Sequence, residues 1–206
     1  MDLAESQTFN GIDEDARHLM EAHAPSAGRA TAAPAFGPRA LSDFFTYWSS
    51  LPRANGAPDA TGFDPLALTL WLPDTTIMEI HRPADIRFRL VGTRVAERMT
   101  HDPTGTNMLD MLAPETRAQV CRDMHEIAYR PCGYHACYVN VYGSGRVSHV
   151  QSLYLPLAAP AGHPPRMIAV HAPEEAVEYQ PPADRTVCAT SIDEIVWVDV
   201  GRGVPG

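Results

Sequence analysis

The 206-residue chain contains no lysine: all 16 of its basic side chains are arginine, against 25 aspartates and glutamates, and the net charge is -9. The charge is uneven, with -3 over residues 1–39, -1 over 40–170 and -5 over 171–206. Phosphate binding depends on clustered positive charge, so acidic ends and a near-neutral middle exclude a broad surface for nucleic acid or anionic lipid. We therefore expect neither nucleic acid nor a membrane as a partner.

Long apolar runs and a signal peptide are also missing. No stretch reaches the roughly 18–20 uncharged apolar residues that a membrane span needs. The first five residues, MDLAE, are acidic and lack the basic segment and apolar run of a signal peptide. These absences predict a cytoplasmic protein, in which Cys121, Cys132, Cys137 and Cys188 stay reduced. With 45% hydrophobic residues the chain can build one good core.

Composition divides the chain into three parts. Residues 21–39 hold 12 alanines, prolines and glycines among 19 residues, which is typical of a flexible linker. We therefore predict a flexible arm over 1–39 and an ordered domain over 40–173. The acidic extension 174–206 is expected to dock on that domain, with 191–200 forming either a last strand or a docked tail.

The ordered domain begins with a strongly apolar helical stripe. Its members fall at i, i+3, i+4, i+7 and i+10, which predicts one helix over 41–52. Such a stripe must cover either a sheet face or a partner's copy of the same helix. Because a sheet can cover only part of it, we expect a homodimer held through these five residues: Leu41, Phe44, Phe45, Trp48 and Leu51.

Alternation and capping signals predict the remaining elements. Two strands, over 76–81 and 86–90, precede short helices at 94–99 and 108–112 and the longest helix at 114–130. Three more strands follow, over 134–142, 147–157 and 166–171. This order predicts an α+β domain, in which a five-stranded antiparallel sheet has helices on one side and a capping helix at the N-terminal end.

The hairpin around Gly143-Ser144-Gly145 supplies the candidate pocket. This loop predicts a register in which six side chains share one face, with two histidines, a thiol and an amide among aliphatic residues. A mostly apolar surface with a few convergent polar groups is typical of a ligand pocket. The alternatives are a partly solvated sheet surface, or a pocket on the opposite face with Tyr138 and Tyr154. We predict that the ligand-binding residues are these six, roofed by three methionines: His135, Cys137, Val139, His149, Gln151, Leu153, Met108, Met111 and Met124.

Metal binding is a sharper version of the same site. His135, Cys137 and His149 could supply three ligands, with Cys121 or His125 as a fourth. The spacings of these residues match no zinc signature, so we predict no metal site. The sequence does not identify a cofactor.

Three arginines offer another binding chemistry. Arg89, Arg94 and Arg98 either hold an acidic ligand or form ordinary surface pairs with Glu97 and Asp102. Surface pairs are common and weak, so we favour the second interpretation.

The amino-acid sequence resembles a bacterial family of PAS-domain proteins of about this length, the fifth PAS type. The stretches that carry the resemblance are 63–66 (FDPL), 86–98 (IRFRLVGTRVAER), 102–105 (DPTG), 153–157 (LYLPL) and 198–205 (VDVGRGVP). The resemblance implies a five-stranded antiparallel sheet with a helical flank that can enclose a small ligand. It offers no catalytic residue or cofactor. Gln151 departs from the acidic residue expected at its position.

These observations predict a sensor or adaptor without enzymatic activity. Ser144 lacks the strand-to-helix elbow of a serine nucleophile, and the chain has no phosphate loop or dinucleotide motif. We expect it to bind a small molecule, to signal through a homodimer or a signalling partner, or to do both. The alternatives are a carrier or weakly catalytic pocket for a small hydrophobic ligand, and a purely structural interaction module.

Overall fold

The computed structural model describes residues 35–54, 56–59 and 62–205. The predicted arm therefore lies outside the described residues, apart from 35–39. Four helices are present in this part of the chain: α1 (Arg39–Ser50), α2 (Pro65–Leu68), α3 (Thr93–Met99) and α4 (Pro114–Tyr129). The strands are β1 (Arg53–Ala54), β2 (Ala57–Pro58), β3 (Thr75–Arg82), β4 (Asp85–Val91), β5 (Gly133–Val141), β6 (Arg146–Leu157), β7 (Arg166–Pro173), β8 (Glu178–Tyr179) and β9 (Val187–Val198).

The main sheet is antiparallel throughout, with the order β4-β3-β7-β6-β5-β9, and β8 pairs with the start of β6. The α+β class is confirmed, and the sheet has seven strands where five were predicted. The two additional strands both come from the C-terminal extension. The longer, β9, pairs with β5 along almost its whole length, because β5 would otherwise leave a row of unpaired backbone groups at the edge. The extension therefore adds a strand, which the sequence left open.

Helices cover both faces of the sheet. The inner face packs against α4 and the 3-10 turn Met108–Met111 and builds the larger core. The outer face carries Leu153 and Leu155 of β6 and packs against α1. No helix among the described residues is long and apolar enough to cross a membrane.

The predicted α1 stripe lies mainly against its own sheet. Leu41, Phe44 and Trp48 are 0% exposed, and the Trp48 indole Nε1 donates a 3.2 Å hydrogen bond to the Pro156 carbonyl. Phe45 and Leu51 remain half-buried. The expectation that a partner must cover this stripe is corrected for the three buried residues, because the aliphatic outer face of β6 and β7 already covers them. The homodimer itself stays a prediction.

The N-terminal boundary of order also differs from the expected one. Phe36, placed in the flexible arm, is buried, and its ring lies 5.6 Å from that of Phe45 and 5.2 Å from that of His135. The composition of this segment did not predict that Phe36 is buried, because a single aromatic residue among alanines and prolines forms no periodic apolar pattern.

Candidate functional site

A cavity of about 70 Å³ lies between the inner face of the sheet and the helices. One buried water needs about 10–15 Å³, so the cavity is several times larger than a single water site. Its wall comes from the strands β3 to β7 and β9, from α3 and α4, and from the turn Met108–Met111. The cavity thus occupies the interface between the two layers of the domain.

Methionines form much of the apolar wall. Met108, Met111 and Met124, the predicted roof, all line the cavity, and they are joined by Met78 from β3 and Met99 from α3. The unbranched thioether side chain changes rotamer readily and fills irregular space. This wall can therefore adjust to ligands of somewhat different shape.

A chain of four polar side chains crosses the sheet side of the cavity. The imidazole of His171 joins two hydroxyls, with Nε2 2.9 Å from Thr76 Oγ1 and Nδ1 2.8 Å from Ser152 Oγ. The Ser152 hydroxyl forms a further 2.8 Å hydrogen bond with the hydroxyl of Tyr138. Since Thr76, Ser152 and Tyr138 are buried, these bonds satisfy groups that would otherwise be costly to remove from water.

The imidazole of His171 is neutral in this row of hydrogen-bonded side chains. Burial, followed by the nearby positive charge of Arg98, lowers its pKa to about 4. A neutral imidazole has one N–H and one acceptor nitrogen, and each hydroxyl can donate or accept. The hydrogen bonds along these four side chains can therefore run in either direction. The Tyr138 hydroxyl can accordingly act as donor or acceptor toward the cavity.

Arg98 brings a positive charge to the same cavity. Its Nη1 donates a 2.7 Å hydrogen bond to Asp74 Oδ1, and Nη1 of Arg94 donates a 2.8 Å bond to Asp74 Oδ2. Arg89 pairs with Glu79 at 3.6 Å. The three arginines do form ion pairs, as favoured from the sequence, but with Asp74 and Glu79 in place of the expected partners.

Gly92 explains how the arginines of α3 reach Asp74. A side chain at this position would place its Cβ 2.2 Å from the Leu72 carbonyl oxygen and 2.4 Å from that of Pro73. Only glycine allows the start of α3 to approach the 3-10 turn Leu72–Asp74 this closely. The close contact brings Arg98 to the cavity wall.

The C-terminal strand closes one side of the cavity. Cys188, Ala189 and Ile192 of β9 line it, and Ala189 has a φ of 49°, which is unusual for a residue with a side chain. The β9 backbone bulges at Ala189, where the register with β5 shifts. Two hydrogen bonds hold this bulge, from the Ala189 N–H to Asn140 Oδ1 at 3.0 Å and from the Thr116 hydroxyl to the Ala189 carbonyl at 2.8 Å. Burial raises the pKa of the Cys188 thiol to about 12, so it is an apolar part of the wall.

The predicted strand residues lie on the other face of the sheet. The register itself is confirmed: His135 pairs with Leu153, Cys137 with Gln151, and Val139 with His149. Their side chains share the outer face, so the prediction that this face lines the cavity is corrected. The reason is that α1 covers the outer face, whereas the opposite set with Tyr138 and Tyr154 faces α4.

The outer-face residues have their own surroundings. His135 is buried, and its Nε2 has no hydrogen-bond partner within the described part of the chain. Burial lowers the pKa of His135. The amide of Gln151 lies against Gly37, where an added Cβ would come 3.1 Å from its Oε1. His149 is exposed, with Nδ1 3.5 Å from Asp193 Oδ2.

The alternative metal set is divided by the sheet. His135, Cys137 and His149 lie on the outer face, whereas Cys121 and His125 belong to α4 on the inner side. Within 35–54, 56–59 and 62–205, no group of three or more His, Cys, Asp or Glu side chains could hold a metal ion.

The polar chain escaped the sequence reasoning because its members are far apart in sequence. Thr76 is on β3, Tyr138 and Ser152 on β5 and β6, and His171 on β7. One signal was available: Tyr134, Tyr138 and Tyr154 fall on one face of the predicted hairpin, while Leu153 and Leu155 fall on the other. The leucines at the end of β6 suit an apolar helix, which leaves the tyrosines of the opposite face for the cavity.

Comparison with known proteins agrees with this architecture. No curated protein matches the chain. A family model described as a PAS domain matches residues 37–171, which include all of α1 to α4, the strands β1 to β6 and most of β7. Strand β9, which completes the cavity wall, lies beyond the matched residues. The extent of this match shows that the chain belongs to the PAS domain family.

Proposed function

We propose that this protein is a sensor or adaptor that binds a small, largely apolar molecule in the inner-face cavity and passes on its presence through contacts with a partner. PAS domains are generally sensory or interaction modules without catalytic activity. The coarse function follows from the family. Ligand binding and the route of the signal are the proposal.

The observation that carries the proposal is the neutral polar chain inside an apolar wall. Ligand sites combine predominantly apolar lining with a few convergent polar groups. Tyr138 offers a hydroxyl that can reverse its hydrogen-bond direction through Ser152 and His171. A domain whose only task is packing gains little from such a chain, because burying polar groups costs free energy even when they are paired.

The same groups support binding over catalysis. Ser152 and His171 form a close pair, but an imidazole with a pKa of about 4 is a weak base at neutral pH. The Cys188 thiol is protonated in the same wall, and Ser152 is fully buried. None of these groups has the activation that a nucleophile needs.

The proposed signal leaves through elements that touch the cavity. Ala189 of β9 is hydrogen-bonded to Thr116 of α4, so a ligand that displaces this bulge shifts the extension and a helix together. We propose that the signal is passed to a second copy of the protein across a homodimer interface. It now depends on the half-buried Phe45 and Leu51, since the rest of the α1 stripe is buried within its own chain.

Probe binding tests the proposal. Toluene, benzamide and benzoate are added separately at millimolar concentration, and the thermal unfolding midpoint is measured for the wild type, Ala136→Phe and Cys137→Phe. Ala136 lines the cavity, whereas its neighbour Cys137 points to the outer face and is half-buried. The proposal expects at least one probe to raise the midpoint of the wild type and of Cys137→Phe, but not that of Ala136→Phe. Failure of all three probes on the wild type would overturn it.

A further inference from the structure

We propose that the ligand of the cavity is a small organic acid whose carboxylate binds the guanidinium of Arg98. This inference rests on the proposed function, which leaves the charge of the ligand open. It assigns Arg98 as the residue that determines specificity and the methionine wall as the contact for an apolar body.

The charge of the wall selects the sign of the ligand. Among the described residues that line the cavity, Arg98 is the only one that carries a charge, because His171 is neutral and no Asp or Glu is in the wall. A cationic ligand would therefore lose its hydration against a like charge. An anion would meet the opposite charge in a medium of low dielectric constant.

The ion pair of Arg98 leaves this charge uncompensated. Asp74 accepts from both Arg94 and Arg98, so one carboxylate serves two guanidinium groups and a net charge of +1 remains. In the described structure only Nη1 of Arg98 has a hydrogen-bond acceptor. Its Nε and Nη2 are the two donors that a carboxylate engages side by side.

The surroundings of Arg98 favour a monocarboxylate over a larger anion. The side chain is 15% exposed, so the carboxylate would lie at the edge of the cavity and keep part of its hydration. Behind it the wall turns apolar, beginning with Met99 and Val95 of the same helix. A single carboxylate at one end of a compact apolar body matches both regions, whereas a phosphate or a dicarboxylate would bury unpaired charge.

Isothermal titration with two isosteric probes tests the inference. Benzoate and benzamide differ in charge but hardly in shape, and they are titrated into the wild type, Arg98→Gln, Arg94→Gln and Asp74→Asn. Arg94 is the matched control, because it shares Asp74 with Arg98 but is 59% exposed and does not line the cavity. We expect the wild type to bind benzoate at least tenfold more tightly than benzamide. The preference should vanish in Arg98→Gln and persist in Arg94→Gln.

Asp74→Asn provides a result that lost stability cannot imitate. Removing the carboxylate frees Arg98 from its partner, so benzoate should bind severalfold more tightly while benzamide binding stays unchanged. Equal binding of the two probes to the wild type, or weaker benzoate binding by a folded Asp74→Asn variant, would overturn the inference and leave Arg98 as a structural clasp between α3 and the turn before β3. If neither probe nor toluene binds the wild type, it is the proposed function that fails.

Discussion

The hydroxyl of Tyr134 donates a 2.8 Å hydrogen bond to Asp123 Oδ2, joining the middle of α4 to the first residues of β5 beside the cavity. Both residues are buried, and Asp123 has no cationic partner among the ion pairs of the described structure. Burial raises the pKa of this carboxyl to about 6, although the Tyr134 hydroxyl acts in the opposite direction.

Replacing Asp123 by Asn should therefore stabilise the protein at alkaline pH. Between its unfolded pKa of 3.8 and a folded value of about 6, the folded state holds the proton more tightly, so stability falls as pH rises. One pKa unit corresponds to about 1.4 kcal/mol, which makes the charged form cost about 3 kcal/mol above pH 7. Urea unfolding should show Asp123→Asn gaining up to this amount at pH 8 and nothing at pH 4.

The control for this prediction is Asp110→Asn, because Asp110 is also near the cavity roof but exposed. It should leave the free energy of unfolding nearly unchanged at both pH values. An Asp123→Asn variant that is less stable than the wild type at pH 8 would mean that the charged Tyr134–Asp123 hydrogen bond outweighs the cost of burial.

His171 should produce the opposite pH dependence. Its folded pKa of about 4 lies below the unfolded value of 6.5, so on acidification the unfolded state takes up a proton that the folded state refuses. Stability is lost as pH falls through this window. His171→Gln keeps a donor and an acceptor but cannot titrate, and it should lose less stability than the wild type between pH 7 and pH 4. Parallel losses in the two proteins would contradict a neutral His171.

Much of the fold was predictable because local patterns set the elements. The long helix was expected over 114–130 and is α4, Pro114–Tyr129, with Val120, Met124 and Ile127 buried as the stripe required. The β5–β6 hairpin has the predicted register because its glycine loop permits the necessary turn, with Gly145 at a φ of 85°.

The inner face was not predictable from alternation. In most antiparallel sheets one face is solvated, so polar residues mark the outside. Here α1 covers one face and α4 the other, and β6 is buried on both sides from Ser152 to Leu157. Alternation then separates two apolar faces without telling which one encloses a cavity. Contacts that join distant strands, such as that of Thr76 with His171, need the assembled sheet.

Gly92→Ala tests the close approach of α3 to the turn before β3. A methyl group at this position would overlap two carbonyl oxygens, so the backbone must shift, at a cost of about 1–3 kcal/mol or more. The variant should also weaken probe binding, since Arg98 moves with α3. Gly62→Ala is the control because its Cβ meets no atom within 4 Å. Equal thermal midpoints for the two variants would show that the backbone contact is looser than described.

Two substitutions in helix α1 distinguish its contribution to stability from its proposed contribution to dimerisation. Trp48→Phe removes the indole donor to Pro156 and should cost about 1–3 kcal/mol in urea unfolding, because a buried hydrogen bond is lost. Phe45→Glu changes a half-buried side chain and should convert the proposed dimer to a monomer in sedimentation, with the fold retained. A wild type that sediments as a monomer at tens of micromolar would remove the dimer from the account.

Methionine methyl NMR tests the inner-face cavity most directly. The chain has eight methionines, and Met78, Met99, Met108, Met111 and Met124 line the cavity. Met167 is fully buried in the same core but is not part of the cavity wall, so it serves as an internal reference. Spectra of protein labelled at the methionine methyl groups are recorded with increasing benzoate and, separately, benzamide. The account predicts that the five cavity resonances shift with at least one probe while Met167 stays in place, and that Ala136→Phe abolishes the shifts. Five resonances that do not move with millimolar concentrations of either probe would contradict it.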